Sequence, residues 1–241
     1  HFTPHKIDTD EDNIYDNQLR EISKKFKTQG IKDLVLDLRY NNGGYLTSAS
    51  LLCEILAPAS AKGNTMYSLE YNDKQKNPWD TYYFNQHYLG DGVNLDLKTL
   101  YVLVSSATAS ASELIINCLD PYMKVVLIGT QTEGKNVGST TYTHEDGEWA
   151  LHPIIFKIYN SEEKSEYKDG FKPDIPFNDL ELPNKLHELG DPNEALLKRA
   201  IGKIIGKPVI EQEKIRSRSQ GFSLQLAKSS IAVKATPILI K

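Results

Sequence analysis

Short apolar runs that alternate with helical periods constrain the fold of this chain more than any other feature of its sequence. Strand-like runs cover residues 31–38, 100–105 and 124–129. Apolar residues at a period near 3.6 follow the first run, from Leu46 to a stop before Pro58, and a similar period covers residues 110–120. Strands that alternate with helices in this way are typical of a mostly parallel sheet. The sequence therefore predicts an α/β fold.

Weaker patterns complete the predicted order of elements. Residues 14–29 carry apolar side chains at helical spacing and are followed by Gly30, which suits a helix stop. Residues 192–206 show a second helical pattern, whereas residues 137–143 and 149–159 are typical of strands.

The segment 61–97 differs from its surroundings because it is polar and rich in tyrosine. We interpret it as an excursion with short strands that lies over a groove of the core. Residues 1–206 are then one core that includes the excursion. Residues 207–241, with a basic stretch and an apolar end, are predicted to be a C-terminal extension packed on that core.

Composition excludes several classes of function. A chain of 241 residues can bury one sizeable core, and its net charge of −4 has interspersed signs. Nucleic-acid binding would require a concentrated basic face, and the apolar runs are shorter than the ~20 residues of a membrane-spanning helix. Cys53 and Cys118 lie in apolar helical segments, so we expect buried free thiols rather than a disulfide or a metal site. The chain begins with His1 rather than Met, so we expect a processed or truncated protein.

Ser110 and Lys135 each stand in a loop directly after an apolar strand. A serine hydroxyl becomes a good nucleophile when a nearby base takes its proton, and a lysine serves as that base if burial keeps it neutral. The unperturbed pKa of lysine is ~10.4, so this role requires a pKa lowered by about three units. Loops that leave neighbouring strands can bring the two side chains together. A serine at the start of a helix is also a common N-cap, and Glu113 completes the capping-box pattern.

Paired glycines at Gly43 and Gly44 end the first strand-like run. Glycine leaves its backbone N–H groups open to close approach, and such groups form the oxyanion holes of acyl-transfer enzymes. The N–H of Ala111, at the start of the predicted helix, can point at the same oxyanion.

These motifs together resemble the tail-specific, or C-terminal processing, serine peptidases, whose catalytic core is shared with tricorn-type proteases. The resemblance covers roughly residues 14–206. It depends on five motifs in the family's order, which are Asp37-Leu-Arg-Tyr-Asn-Asn-Gly-Gly44, Thr108-Ala-Ser-Ala-Ser-Glu113, Thr132-Glu-Gly-Lys135, Gly170-Phe-Lys-Pro-Asp174 and Asp191-Pro-Asn-Glu194.

The resemblance implies a crotonase/ClpP-like core of repeated strand-strand-helix units with a mostly parallel sheet. It implies a serine endopeptidase with Ser110 as nucleophile and Lys135 as general base, and with Gly43 or Gly44 and Ala111 at the oxyanion. Glu113 matches a family position that either takes part directly or anchors the loop. Relatives often carry a glutamine where this chain has Ser139, which is a departure.

The resemblance also implies what surrounds this core. The substrate is an extended polypeptide, no metal or organic cofactor takes part, and the setting is the bacterial cell envelope, periplasmic or surface-anchored. The family's PDZ-type module would lie upstream of His1, outside this chain. The sequence does not determine the oligomeric state or the substrate sequence.

Three alternatives stay open at the level of sequence. A Ser-His mechanism would use His144 or His152 with Asp37, although the serine lacks a Gly-x-Ser-x-Gly elbow. The run Gly129–Lys135 fits the Gly-x4-Gly-Lys pattern of a phosphate-binding loop, but the next residue is asparagine and a strand pattern follows where a helix is required. A non-catalytic, peptide-binding fragment with the same scaffold is the third alternative.

Overall fold

The structure is a computed structural model that describes residues 1–6, 13–179 and 187–207. The predicted extension, beyond residue 207, lies outside the described residues. Helices and strands alternate along the chain, and a short 3-10 helix, Ala59–Ala61, follows the second helix. The elements are α1 (Ile14–Gln29), β1 (Val35–Asp37), α2 (Leu46–Leu56), β2 (Thr65–Tyr71), β3 (Trp79–Tyr83), β4 (Thr99–Val104), α3 (Ala111–Leu119), β5 (Lys124–Gly129), β6 (Val137–Ser139), β7 (Tyr142–Thr143), β8 (Ala150–Leu151), β9 (Ile154–Tyr159), β10 (Ile175–Pro176) and α4 (Ala195–Ile204).

A four-stranded parallel sheet in the order β1-β4-β5-β10 confirms the predicted α/β fold. Successive residues of β4 point to opposite faces of this sheet, because side chains alternate along a strand. Leu100, Val102 and Val104 join the main core, whereas Leu103 joins a smaller cluster with Leu196 of α4. The sheet is therefore covered on both faces, as parallel sheets usually are.

A second sheet, in the order β3-β2-β9-β6, is antiparallel throughout. Helix α3 contacts both β5 of the parallel sheet and β2 and β9 of this one. All residues of α3 are buried, and its polar members Ser112, Glu113 and Asn117 have hydrogen-bond partners. The parallel sheet thus lies between α4 on one face and α3 on the other, and the antiparallel sheet lies beyond α3.

The segment 61–97, interpreted above as an excursion over a groove, contributes β2 and β3 to the antiparallel sheet. Strand β2 is an inner strand of that sheet. Met66 and Leu69 are fully buried, and Leu97 nearly so. Its many tyrosines hid this role, because tyrosine has a polar end and yet packs well in strands, as Tyr67 does when it stacks on Tyr82 at 4.7 Å.

The predicted strand 149–159 is divided into β8 and β9. Pro153 stands between the two strands and has no N–H to donate to a ladder, which accounts for the break. The thiols of Cys53 and Cys118 are free and buried, as predicted, and their sulfur atoms lie 3.2 Å apart between α2 and α3.

Arg39, directly after β1, is a buried cation that connects three parts of the chain. Its guanidinium donates to the carboxylates of Asp37 at 2.7 Å, Glu194 at 2.9 Å and Asp179 at 3.1 Å. The Glu194 carboxylate also caps α4, since it accepts hydrogen bonds from two backbone N–H groups of the first turn. This network connects the end of β1 to α4. It gives a structural reason for Arg39 in the Asp37–Gly44 motif and for Glu194 in the Asp191–Glu194 motif.

We expect Arg39→Met to lower the free energy of unfolding by about 3–5 kcal/mol, because it leaves three carboxylates facing one another without a cation. Urea unfolding monitored by circular dichroism measures this. Lys74→Met is the contrasting variant, since Lys74 pairs with Asp73 where both side chains are largely exposed. Equal midpoints for the two variants would contradict a structural role for the network.

Candidate active site

Three loops that carry the predicted site residues leave the same edge of the parallel sheet. The carboxyl ends of parallel strands meet at one edge, and ligand sites of α/β proteins commonly form there. The loop after β1 carries Gly43 and Gly44, the loop after β4 carries Ser110, and the loop after β5 carries Lys135.

Ser110 stands at the N-terminus of α3 in an unusual backbone conformation, with φ 62° and ψ −119°. This is the geometry of the first central residue of a type II′ turn, a position that glycine dominates. A side chain held there is strained, and such strain is most often found at functional sites. The Ser110 side chain is buried and stands in a capping box with Glu113, whose carboxylate accepts from the Ser110 N–H.

The carboxylate of Glu113 joins the loop of Ser110 to the loop of Lys135. Its Oε2 atom accepts from the backbone N–H of Ser110 at 3.0 Å and from that of Lys135 at 2.8 Å. Because the backbone nitrogens of Ser110 and Lys135 donate to the same oxygen atom, the distance between them cannot exceed the sum of these two hydrogen-bond lengths. Its Oε1 atom accepts from the Gly134 N–H at 2.7 Å and from the Thr132 hydroxyl at 2.6 Å. Burial raises the pKa of Glu113, and these hydrogen bonds, which favour the ionised form, oppose that rise.

The side chain of Lys135 has a lowered pKa, in the direction that a general base requires. Burial disfavours the charged amine and is the main cause, whereas the negative charges of Glu113 and Glu133 act in the opposite direction. The Glu113 carboxylate reaches Lys135 through its backbone N–H.

Gly43 lies in direct contact with the Ser110 turn. A Cβ atom at position 43 would lie 2.7 Å from the Ser110 Cβ and 2.9 Å from the Ala111 nitrogen, and the φ of 101° also favours glycine. The Gly43 N–H donates to the side chain of Asn41 at 3.1 Å. By contrast, no described residue accepts a hydrogen bond from the backbone N–H of Gly44 or of Ala111.

Phe2 is a neighbour of this site that sequence reasoning missed. It forms a parallel bridge with Gly44, in which the Phe2 N–H donates to the Gly43 carbonyl at 2.6 Å and the Tyr45 N–H donates to the Phe2 carbonyl at 2.9 Å. In a trans peptide the C=O and N–H groups point in opposite directions. The Gly44 N–H therefore points away from Phe2. A bridge between segments so far apart along the chain leaves no local signal in the sequence.

The two histidines of the alternative triad lie elsewhere. The Nδ1 atom of His144 lies 2.7 Å from a carboxylate oxygen of Asp146 and its ring stacks on Trp149, and the ring of His152 is hydrogen bonded to the Thr141 hydroxyl. Both side chains are exposed, whereas Ser110 is fully buried and has no hydrogen bond to either ring. The aspartate of that triad, Asp37, pairs with Arg39.

The loop after β5 also lacks the geometry of a phosphate-binding loop. It runs into strand β6, whereas the N–H groups that bind phosphate belong to a helix N-terminus.

Ser139, at the end of β6, is buried and its hydroxyl has no hydrogen-bond partner in the described part of the chain. Residues 1–6, 13–179 and 187–207 contain no cluster of three or more metal-ligating side chains and no helix long and apolar enough to cross a membrane.

Glu113→Ala is expected to destabilise the protein by about 3 kcal/mol or more, because it leaves several buried donors without an acceptor. It should also lower activity, since the lysine loop loses its connection to Ser110. Glu188→Ala is the control, because Glu188 is an exposed glutamate outside these loops. Urea midpoints and kcat/KM are the measurements. A Glu113→Ala protein as stable and as active as Glu188→Ala would disprove the anchoring role.

Comparison with known proteins gives consistent matches. The model of peptidase family S41 matches residues 8–177. A Staphylococcus epidermidis protein named "Probable CtpA-like serine protease" is 28% identical over 207 residues, which is 82% of this chain and 40% of the relative. A Staphylococcus aureus protein of the same name is 29% identical over 192 residues, or 77% of this chain and 36% of the relative. The chain thus spans about two fifths of the length of these curated relatives.

Solved structures give the same picture. The crystal structure of a Bacteroides fragilis protein assigned as an S41 protease superposes with a TM-score of 0.80 at 40% identity, over 85% of this chain and 52% of that one. The photosystem II D1 C-terminal processing protease superposes with a TM-score of 0.53 at 22% identity, over 68% of this chain and 39% of that one. The second match supports the fold alone.

Proposed function

This chain belongs to peptidase family S41, and on that premise we propose that it is the core of a serine endopeptidase with a Ser110–Lys135 dyad. The observation that carries the proposal is the single carboxylate oxygen of Glu113, which accepts from the backbone N–H groups of both residues. That contact brings the loop of a strained serine next to the loop of a lysine whose pKa is lowered by burial.

In the proposed mechanism the neutral amine of Lys135 takes the hydroxyl proton as Ser110 Oγ attacks the scissile carbonyl. The N–H groups of Gly44 and Ala111 donate to the oxyanion that forms, since neither has an acceptor among the described residues. The position of Ser110 at a helix N-terminus also favours the developing negative charge. Gly43 has a steric role in this site, because a side chain at position 43 would collide with Ser110 and Ala111.

Collapse of the tetrahedral intermediate breaks the peptide bond, and the protonated Lys135 gives its proton to the leaving amine. The C-terminal product departs and the N-terminal part remains as an ester on Ser110. A water molecule that loses its proton to the same amine then attacks the ester, and the protonated Lys135 returns that proton to Ser110 Oγ as the acyl C–O bond breaks. Proton transfers at Lys135 therefore balance in each half of the reaction.

Access to Ser110 requires a conformational change, because its side chain is fully buried in this structure. A peptide carbonyl reaches the hydroxyl only after the groups that cover it move. We propose that the substrate is an extended polypeptide, which can add as a strand beside the core. By its family resemblance we assign the protein to the bacterial cell envelope.

Proteolysis of an unfolded substrate protein by the purified protein tests the proposal. Ser110→Ala should abolish cleavage, whereas Ser106→Ala should retain it, because Ser106 is an exposed serine of the same loop. If the unsubstituted protein and both variants bind the unfolded substrate but none of them cleaves it, a non-catalytic, peptide-binding role is favoured. Equal cleavage by the unsubstituted protein and both variants would reject the dyad.

A further inference from the structure

Strands β7 and β8 form a two-stranded hairpin of their own, separate from the two larger sheets. Tyr142 pairs with Leu151, and the next pair toward the tip is Thr143 with Ala150. The backbone then closes with a hydrogen bond from the His144 N–H to the Trp149 carbonyl at 3.0 Å. The tip is ordered by a stack of the His144 and Trp149 rings at 4.5 Å.

One face of this hairpin is aromatic and apolar. Cross-strand partners share a face, and so do alternate residues of one strand. Tyr142, Leu151, His144 and Trp149 therefore lie on one face, with Thr143 and Ala150 on the other. Tyr142 and Trp149 are both 51% exposed and Leu151 is 58% exposed, so the face is uncovered by the described residues. Exposed apolar groups that are contiguous mark binding surfaces.

The tip of the hairpin is rich in acidic residues. Glu145, Asp146 and Glu148 surround the turn, and no lysine or arginine occurs between Lys135 and Lys157. A partner that binds this face should therefore carry apolar residues that cover the aromatic side chains and, beside them, basic residues that pair with the acidic tip. A second copy of this chain fits less well, because its net charge is −4.

The hairpin is also connected to the proposed active site by a short stretch of backbone. Strand β6 begins two residues after Lys135, and β7 follows β6 after two more residues. Seven fully extended residues span at most about 25 Å, so the aromatic face begins within that distance of Lys135. An extended polypeptide in the active site can reach it without a break.

We propose that this aromatic face is a substrate-binding exosite, which selects unfolded polypeptide segments that combine apolar or aromatic residues with lysine or arginine. The inference rests on the proposed peptidase function and adds a substrate class to it. Trp149 and Leu151 supply the apolar anchor, and the carboxylates of the tip attract the basic residues. Truncation of a central aromatic anchor typically weakens binding by a factor of roughly ten or more.

Intrinsic fluorescence measures this binding without any cleavage. The protein has two tryptophans, so Trp79→Phe leaves Trp149 as the sole reporter, and Ser110→Ala prevents turnover. The probe is a short, tryptophan-free synthetic peptide with phenylalanine and leucine flanked by arginines, and its control carries glutamates in place of the arginines. We expect saturable binding of the basic peptide only, weakened by salt, and weakened roughly tenfold by Leu151→Ala.

Kinetics provide the second arm, with a matched pair of variants. In the active protein, Trp149→Ala should raise KM roughly tenfold with kcat unchanged, whereas Trp79→Ala should change neither, because Trp79 is similarly exposed but lies on β3 of the antiparallel sheet, outside the hairpin. Equal binding of the two peptides, or no effect of Leu151→Ala, overturns the exosite. So does a change of sedimentation coefficient with Trp149→Ala, which assigns the face to self-association. The two proposals can fail separately. If Ser110→Ala leaves cleavage unchanged while the basic peptide still binds as expected, the dyad is overturned and the exosite is retained.

Discussion

Ser110→Ala is expected to lower kcat/KM for peptide hydrolysis by about 10⁴-fold or more, because it removes the atom that forms the acyl-enzyme. The remaining oxyanion donors and substrate contacts leave only a residual rate. The measurement is cleavage of a fluorogenic unfolded substrate by the variant and by the unsubstituted protein. Binding of substrate should survive, so that KM or Kd changes little.

A companion variant separates the chemical role of Ser110 from the strain of its backbone. Ser110→Gly should be as inactive as Ser110→Ala, yet more stable, because glycine accepts φ 62° and ψ −119° without penalty. Strained conformations of this kind cost about 1–3 kcal/mol, and glycine relieves that strain. The greater conformational freedom of glycine in the unfolded chain offsets part of the resulting stabilisation. We expect its Tm to exceed that of Ser110→Ala by about 2–4 °C. A lower Tm for the glycine variant would show that the turn is not strained.

Much of this architecture could be predicted from the sequence, because the signals for it are local. The bounds of α1 were predicted correctly from helical spacing and from Gly30, which ends the helix with a φ of 64°. Strands β4 and β5 were evident because they are continuous apolar runs, as buried parallel strands usually are. The order of the three loops at one sheet edge followed from these elements.

What the sequence did not indicate depends on contacts between distant segments. The bridge of Phe2 with Gly44 and the clamp of Arg39 on Glu194 join residues that no periodicity relates. The central position of β2 was missed for a similar reason, since its burial comes from α3 and β9 rather than from its own composition. Glu113 was predicted as a site residue of uncertain role, and only the structure gives its four hydrogen bonds.

The pH dependence of activity follows from the lowered pKa of Lys135. Only the neutral amine can accept the Ser110 proton, so kcat/KM should rise with pH and reach a plateau above the pKa of Lys135, which lies below the ~10.4 of a free lysine. Lys135→Arg should be inactive across the whole range by about 10⁴-fold or more, because a guanidinium stays protonated. Lys135→Met should be equally inactive.

Stability should respond to pH in the same window, and the sign is fixed by linkage. Between the lowered folded pKa of Lys135 and its higher unfolded pKa, the unfolded chain binds more protons, so the free energy of unfolding rises with pH. Lys135→Met removes this contribution. The variant should therefore be more stable than the parent protein at neutral pH, and its advantage should shrink as pH rises through the window. Urea unfolding at several pH values measures the difference between the two proteins. An advantage that is constant with pH, together with a pH-independent kcat/KM, would mean that Lys135 does not change its charge in this range and does not act as the base.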